Sequence, residues 1–366
     1  MPTSPHPFYQ KLSYYLISIT LICVGISYGR EVILPVLFSI LMAALLLPVT
    51  KFLSRKGLGR VLSIGLPLFV TIVLCGGIMY LISTQVINFL DDVPMLRERV
   101  NEVMLSFQKW VRTNTNMKIW QQNIYINQTL DNLKESAPQI ASSTFGSITD
   151  ILSYAILLPM YSFLILYYRS LIKRFLIDIF KNGSEQSVTV ILIGSTTIAQ
   201  RYITGLVIET GIVFGLNALG FLVLGIKYAI FLALLAALLN LIPYLGMIVA
   251  NVLCMFVTLI SSPATSDALW VGAILGVVQF IDNNFGMPLI VGNTVRINSL
   301  VTILGVIVGG ALCGLPGMFL AIPALAISKV ICDHVDGLKP WGDLMGDGTT
   351  HGQPQDLPTN PKDAAG

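Results

Sequence analysis

The spacing of the charged residues constrains this chain more than any other feature. The run from Tyr228 to Ser266 contains 39 residues without a single Asp, Glu, Lys or Arg. Further uncharged runs extend over Val32–Thr50, Val61–Leu90, Ile151–Tyr168 and Ile297–Ser328. A helix needs about 20 apolar residues to cross a hydrocarbon layer roughly 30 Å thick, and lipid cannot satisfy loose backbone groups. The sequence therefore predicts an all-α, polytopic integral membrane protein.

The overall composition agrees with a chain that lies in lipid. Of its 366 residues, 54% are hydrophobic and 11% are charged, whereas a soluble domain carries roughly 25% charged residues. The net charge of +3 is small and dispersed, and no basic stripe alternates with aromatic residues. Nucleic acid is therefore not expected as a partner, and the lipid bilayer is.

The apolar segments predict about eight transmembrane helices. Two short loops, 51–60 and 169–181, are rich in Lys and Arg, and the positive-inside rule places such loops in the cytoplasm. This orientation predicts a multi-pass membrane protein with cytoplasmic N- and C-termini. The predicted helices lie near 12–29, 32–53, 61–85, 147–168, 206–225, 229–260, 268–281 and 299–331.

Changes in polarity divide the chain into four regions. Residues 1–90 form the N-terminal membrane helices, and 91–144 form a polar, extracytoplasmic insert of small helices with an apolar stripe that favours a homo-oligomer. Residues 145–336 form the transmembrane core, which includes a cytoplasmic helical segment at 169–204. The tail, 337–366, is rich in Gly, Pro and Asp, and is predicted to be disordered.

Two of the apolar runs contain helix-breaking residues. As one straight helix, the 39-residue run would be about twice as long as the hydrocarbon layer is thick. Breaks of this kind are typical of the midplane site of a transporter, although ordinary kinks would need the same residues. The sequence also leaves open whether 229–260 and 299–331 are full spans or re-entrant hairpins. The predicted breaks near a substrate path are at Asn240, Pro243, Tyr244, Gly246, Gly310, Gly314 and Gly317.

Glu209 is the clearest ionisable residue inside a predicted span. It lies a few residues into the apolar stretch Leu206–Gly225. A charge at the centre of a membrane helix costs about 2.5–3.5 kcal/mol on insertion scales, so such residues are candidates for function. Two interpretations remain open: Glu209 carries a coupling ion or proton, or it reaches the cytoplasmic surface and pairs with Arg201.

Asp282 begins the most polar stretch of the second half. It is followed by Asn283 and Asn284, and Arg296 lies further along. A carboxylate with neighbouring amides could coordinate a cation, conduct a proton or bind a hydroxyl-rich ligand. The alternative is a polar cap at the membrane surface.

The residues for common enzyme chemistry are absent from the predicted spans. His6, His334 and His351 all lie in terminal regions, and the five cysteines occur singly. Neither a metal site nor a Ser–His–Asp arrangement is predicted, and no phosphate-binding G-x-x-x-x-G-K-[ST] motif occurs. We therefore expect no enzyme activity, no cofactor and no bound metal, and a gradient or a partner must supply any energy.

Several short motifs occur in order along the second half. Arg201 and Tyr202 precede the predicted fifth span, and five segments follow: Gly225–Ala229, Ile242–Gly246, Asn284–Arg296, Gly314–Met318 and Ala321–Pro323. In these motifs, and in the order of its elements over nearly the whole chain, the sequence resembles the autoinducer-2 exporter family of bacterial permeases.

The resemblance implies a secondary permease that exports small molecules such as autoinducer-2. It equally implies an alternative, a Na⁺(Li⁺)/H⁺ antiporter of the same family. The partners would be a small-molecule substrate and Na⁺ or H⁺. An alternative of another class is a non-transporting membrane scaffold whose insert binds partners in the cell envelope.

Overall fold

The computed structural model describes residues 8–91, 148–179, 185–243, 245–286, 297–335 and 337–346. All regular structure within these ranges is helical, which confirms the all-α prediction. The helices are α1 (Phe8–Arg55), α2 (Arg60–Asp91), α3 (Ile148–Tyr167), α4 (Arg169–Ile179), α5 (Glu185–Val223), α6 (Ala229–Leu239), α7 (Leu245–Ser261), α8 (Ser266–Ile281), a π turn (Asp282–Gly286), α9 (Ser299–His334) and α10 (Lys339–Met345).

The surface of the helices is that of a membrane protein. Among the described residues, five helices are long and apolar enough to cross a bilayer, and a sixth span results if the bent pair α3–α4 counts as one. Large apolar side chains such as Leu62, Phe69 and Leu219 are exposed all along them. A soluble protein does not leave apolar patches of this size in water, so the polytopic membrane fold is confirmed.

The N-terminal region differs from the prediction. The sequence predicts two helices, 12–29 and 32–53, but α1 is continuous over 48 residues. Arg30 and Glu31 suggested the break, yet both are good helix formers and do not end a helix. The prediction of a cytoplasmic N-terminus required two crossings of the bilayer before the loop 51–60. A straight helix crosses a bilayer once, so α1 does not support that prediction.

The two predicted cytoplasmic loops lie next to each other. The guanidinium of Arg60 donates to the carbonyl oxygen of Tyr167 and lies 4.6 Å from the centre of its ring. Helix α4 follows at once, bent by 68° from α3, with Arg169, Lys173 and Arg174 on it. The loop 51–60 and α4 therefore belong to the same side of the bundle, as the charge pattern predicts.

Helix α5 is longer than expected. The sequence predicts a cytoplasmic segment up to residue 204 and a separate span at 206–225, but the helix runs without interruption from Glu185 to Val223. No Pro or Gly pair interrupts this stretch, so the polar first part continues the same helix. At 39 residues, α5 is about 58 Å long and forms the axis of the second half.

The longest uncharged run folds back on itself as a hairpin. Helix α6 ends at Leu239 and α7 begins at Leu245, with Pro243 between them. The Sγ atom of Cys254 lies 3.6 Å from the carbonyl oxygen of Leu232, a pairing symmetric about the tip. The 11 residues of α6 span about 16 Å, half of a hydrocarbon layer, so this segment is a re-entrant hairpin.

The segment α9 forms a second hairpin, with two helical arms on either side of Gly314. Gly314 has φ 63° and ψ −151°, which reverses the chain direction. A Cβ atom on Gly305 would touch Leu325, and one on Gly317 would overlap the carbonyl oxygen of Gly309. A straight helix would hold residues 305 and 325 about 30 Å apart, so the arms 299–313 and 315–334 lie antiparallel in contact.

The two hairpins approach the middle of α5 from opposite ends. A Cβ atom on Gly194, early in α5, would touch Val330 near the base of the α9 hairpin, while Cys313 at its tip packs in the same cluster as Leu206. At the other end, Phe221 clusters with the first residues of α6, and Val213 clusters with Ala237 close to the tip of α6–α7. The tip of the α6–α7 hairpin therefore lies beside Val213, and the α9 hairpin packs along residues 194–206 of α5.

The first residues of the C-terminal tail are ordered as a helix, which corrects part of the predicted disorder. The backbone N–H of Asn298 donates to the carbonyl oxygen of Met345 at 2.9 Å, and its side-chain Nδ2 donates to Leu344 at 2.8 Å. Helix α10 therefore closes the base of the α9 hairpin. The predicted insert at 92–144 and the tail beyond 346 lie outside the described residues.

Replacing Asn298 with Ala is expected to destabilise the α9 hairpin. The Oδ1 atom of Asn298 caps the helix by accepting from the N–H of Val301 at 2.8 Å, and loss of such a cap costs about 1 kcal/mol. The bond to Leu344 is lost as well, so the unfolding midpoint in detergent should fall by several degrees. Asn298→Asp keeps the oxygen that caps the helix but loses the amide nitrogen that donates to Leu344. Its unfolding midpoint should therefore lie between those of the wild type and Asn298→Ala. Equal midpoints for the wild type and Asn298→Ala would contradict a closed base.

Candidate functional site

The two carboxyl groups that the sequence singles out meet beside the tip of the α6–α7 hairpin. Glu209 lies near the middle of α5, and Asp282 begins the π turn that follows α8. Their carboxyl groups lie close enough to interact electrostatically. Only 8% of Glu209 and 6% of Asp282 is exposed. π turns are rare in proteins, but many of those that occur lie at functional sites. The extra residue in the turn changes the direction of a side chain.

The tip of the α6–α7 hairpin contacts this carboxyl pair directly. Asn240, the residue that ends α6, donates from Nδ2 to Oδ2 of Asp282 at 3.4 Å. The tip is tight, because a Cβ atom on Gly246 would overlap the carbonyl oxygen of Leu239. Three separate elements, α5, the π turn and the hairpin tip, thus position one buried polar cluster.

Neither Glu209 nor Asp282 lies at the surface, so the alternative interpretations given for the two acids are wrong. Arg201 is exposed, while Glu209 is buried two turns further along α5 against Asp282, so Glu209 neither reaches the surface nor pairs with that arginine. Asp282 is buried and is not a surface cap. Both carboxyl groups are buried away from bulk solvent, and a charge is costly in such a buried position.

Other predicted site residues do not join the cluster. Asn283 and Asn284 are exposed, and their side chains bond within their own helical turns, to Gln279 and to the carbonyl oxygen of Phe280. Tyr244 and Arg296 lie outside the described residues.

The predicted glycines of α9 shape its hairpin and do not line the acid pair. Gly314 reverses the chain, and Gly310 and Gly317 let the arms approach each other closely. Cys313, next to the reversal at Gly314, packs in the cluster that contains Ala199, Tyr202 and Ile203 of α5.

Sequence reasoning missed a small cavity beside the acid pair. It has a volume of about 10 Å³, and four of its lining side chains are the amides Asn217, Asn240, Asn251 and Gln279. Two signals could have found them: Asn217 follows Glu209 by eight residues, and Gln279 precedes Asp282 by three. Residues at these spacings share one face of a helix, so each amide lies on the same face as a candidate acid.

An open groove adjoins this cavity between α7 and α8. Its volume is about 510 Å³, and it shares Met247, Asn251 and Gln279 with the cavity. Asn283 and Phe280 line its outer part. Polar side chains thus form a continuous track from the groove past the amides to Asp282.

Within the described ranges, no three His, Cys, Asp or Glu side chains form a cluster that could hold a metal ion. The site instead combines two acids with several amides. These groups can exchange protons, bind a monovalent cation or donate and accept hydrogen bonds with hydroxyl groups.

Comparison with known sequences decides the family. The sequence profile of AI-2E family transporters matches residues 16–337, which is most of the chain. The chain belongs to the AI-2E family of transporters. The resemblance seen in the motifs is therefore confirmed, and the fold is that of a membrane transport protein.

Several relatives align with this AI-2E family transporter over most of their length. It is 25% identical to "Putative transport protein YrrI" of Bacillus subtilis over 317 residues, 83% of this chain and 87% of YrrI. It is 24% identical to "AI-2 transport protein TqsA" of Escherichia coli over 350 residues, 92% of this chain and 96% of TqsA. Transport is common to these names, and TqsA alone of the two is named for autoinducer-2.

Proposed function

We propose that this AI-2E family transporter is a secondary permease of a bacterial inner membrane that exports small polar molecules, with autoinducer-2 as the first candidate. The observation that carries the proposal is the buried pair of Glu209 and Asp282 beside the tip of the α6–α7 hairpin. Broken helices that meet near the midplane are the usual setting of a transport site, because their ends leave backbone groups free for a ligand.

The acid pair supplies a means of coupling. Two adjacent carboxylates in a buried site repel each other, and this repulsion favours a state in which one of them carries a proton. Binding of a cation, or opening of the site to water, changes that balance and releases or takes up a proton. Substrate movement can thus be tied to a proton gradient through Glu209 and Asp282.

The size of the cavities bears on the cargo. The cavity of about 10 Å³ is too small for an organic molecule. The adjoining groove, at about 510 Å³, is larger and open. Amide groups of Asn251, Gln279 and Asn283 line it and suit a hydroxyl-rich ligand such as a hydrated furanone.

A monovalent cation/proton antiporter is the second candidate. It is favoured by the same acid pair and by a small cavity of about 10 Å³, whose size suits an ion and not a furanone. The third candidate, a membrane scaffold, depends on the insert at 91–144. Deletion of that insert would abolish a scaffold function, whereas the core described here would retain transport.

Sealed vesicles with purified protein separate these candidates. Labelled autoinducer-2 and labelled Na⁺ are supplied in turn, with and without an imposed pH gradient, and protein-free vesicles serve as the blank. Saturable movement of the furanone is expected for the exporter, and Na⁺ movement driven by the pH gradient is expected for the antiporter. Movement of neither solute above the blank would contradict the permease proposal for these cargoes and favour the scaffold.

A further inference from the structure

Three of the four amides around the small cavity donate a hydrogen bond from the side-chain nitrogen. Asn240 donates from Nδ2 to Asp282, Asn251 donates to the carbonyl oxygen of Met247 at 2.9 Å, and Gln279 donates to Oδ1 of Asn283 at 3.1 Å. In each case the amide nitrogen already has an acceptor. The carbonyl oxygen is then the atom that each of these side chains has left for a ligand.

Asn217 provides the independent sign of a missing ligand. Its side chain is 1% exposed, and its Oδ1 atom is buried without a hydrogen-bond partner among the described residues. It lies on the wall of the same cavity. An unsatisfied buried acceptor costs about 1–3 kcal/mol, so native proteins normally pair such an atom with a donor, a water or a cation.

The volume and the charge select among these ligands. A cavity of about 10 Å³ is at the lower limit for one water molecule, and a dehydrated Na⁺ or Li⁺ is smaller than water. No Lys or Arg is among the lining residues, while Asp282 is one hydrogen bond away through Asn240. Hard cations prefer oxygen ligands, and a nearby carboxylate balances their charge.

We propose that the amide-lined cavity between α5, α6, α7 and α8 is a binding site for a small monovalent cation, Na⁺ or Li⁺, with Oδ1 of Asn217 as a direct ligand. This inference deepens the proposed function, since it names the coupling ion and the residues that hold it. The C-terminal end of α6 and the N-terminal end of α7 both lie at the hairpin tip. Their dipoles oppose each other, so the side-chain oxygens determine the affinity.

Binding by the purified full-length protein in detergent tests the site without any need for transport. Radiolabelled Na⁺ is measured by equilibrium dialysis, and the unfolding midpoint is recorded in NaCl, LiCl and choline chloride at equal ionic strength. Na⁺ and Li⁺ should raise the midpoint by several degrees over choline, because a ligand stabilises the state that binds it. Asn217→Leu, which has a similar volume, should raise the Kd for Na⁺ about tenfold or more.

Thr258→Val is the matched control. The Oγ1 atom of Thr258 is also buried without a partner among the described residues, but Thr258 does not line the cavity. This variant should bind Na⁺ like the wild type. In choline, Asn217→Leu should be at least as stable as the wild type, because it removes an unsatisfied acceptor.

Two outcomes would overturn the cation site. Either no Na⁺ or Li⁺ binds above the choline background, in which case the cavity holds water, or Asn217→Leu binds as tightly as the wild type. The permease proposal fails separately: a protein that binds Na⁺ but moves no solute in vesicles would keep the site and lose the transport function. Solute transport without Na⁺ binding would keep the permease proposal and contradict the cation site.

Discussion

Replacing Asp282 with Asn is expected to reduce proton-coupled transport to the level of protein-free vesicles. Asn has nearly the same shape, and its Oδ1 atom can still accept the hydrogen bond that Asn240 donates to Asp282. It cannot ionise, so the pair with Glu209 loses the exchangeable charge on which coupling depends. The measurement is solute movement in response to an imposed pH gradient in sealed vesicles. Uncoupled efflux of a neutral furanone should persist and should no longer respond to that gradient.

Asp267→Asn provides the control on the same helix. Asp267 lies in the first turn of α8 and bonds to Ser262, away from the acid pair. The substitution removes one carboxylate and a favourable charge at a helix N-terminus, which is worth about 0.3–1 kcal/mol. We expect slightly lower stability and unchanged coupling. Equal loss of coupling in the two variants would show that charge loss anywhere on α8 is harmful and would contradict the role of Asp282.

Glu209→Gln extends the prediction from one residue to the pair. If Glu209 and Asp282 act as a unit, each single variant should lose coupling as completely as the double variant, because residues in direct contact are not additive. The comparison uses the same vesicles and the same pH gradient. Coupling that survives Glu209→Gln but not Asp282→Asn would assign the proton to Asp282 alone.

The membrane class, the helix breaks and both acids could be predicted from the sequence because each depends on local chemistry. A charge in a 20-residue apolar stretch is costly wherever the helix packs, so Glu209 is a candidate without any structure. Pro243 removes a helix hydrogen bond in any environment. Each of these features depends on a single residue and its neighbours in the sequence.

The hairpins could not be distinguished from kinks because the two need the same residues. A Gly at position 314 permits either a bend or a reversal of the chain. The choice is made by contacts between residues that are distant in sequence, such as Gly305 with Leu325 and Asn298 with Met345. No local pattern records those contacts.

The amide cavity was missed for a related reason. Asn217, Asn251 and Gln279 each stand between apolar neighbours in a helix, a common pattern with several structural explanations. Their significance appears when α5, α7 and α8 pack and bring them to one cavity with Asn240. The continuous helix α1 was missed in the opposite way, because Arg30 and Glu31 interrupt the apolar run but are compatible with a helix.

Gly317→Ala is expected to disrupt the α9 hairpin. An added Cβ atom would overlap the carbonyl oxygen of Gly309 on the opposite arm and crowd Cys313. Because backbone atoms cannot rotate away, the arms must separate, and overpacking of this kind costs about 1–3 kcal/mol or more. We expect a lower yield of monodisperse protein and an unfolding midpoint lower by several degrees. Transport should fall as well, since the α9 hairpin packs against α5, the helix that carries Glu209.

Gly215→Ala separates this effect from the general effect of replacing a membrane-helix glycine. Gly215 lies in α5, and no atom stands within 4 Å of where its Cβ would be, so this change should be neutral or stabilising by up to about 1 kcal/mol. If both variants unfold like the wild type, the arms of α9 are not in contact and the segment is a kinked span. If Gly317→Ala folds but loses coupling while Gly215→Ala keeps it, the separation of the arms acts on the acid pair. That result would join the second hairpin to Glu209 and Asp282 as one transport site.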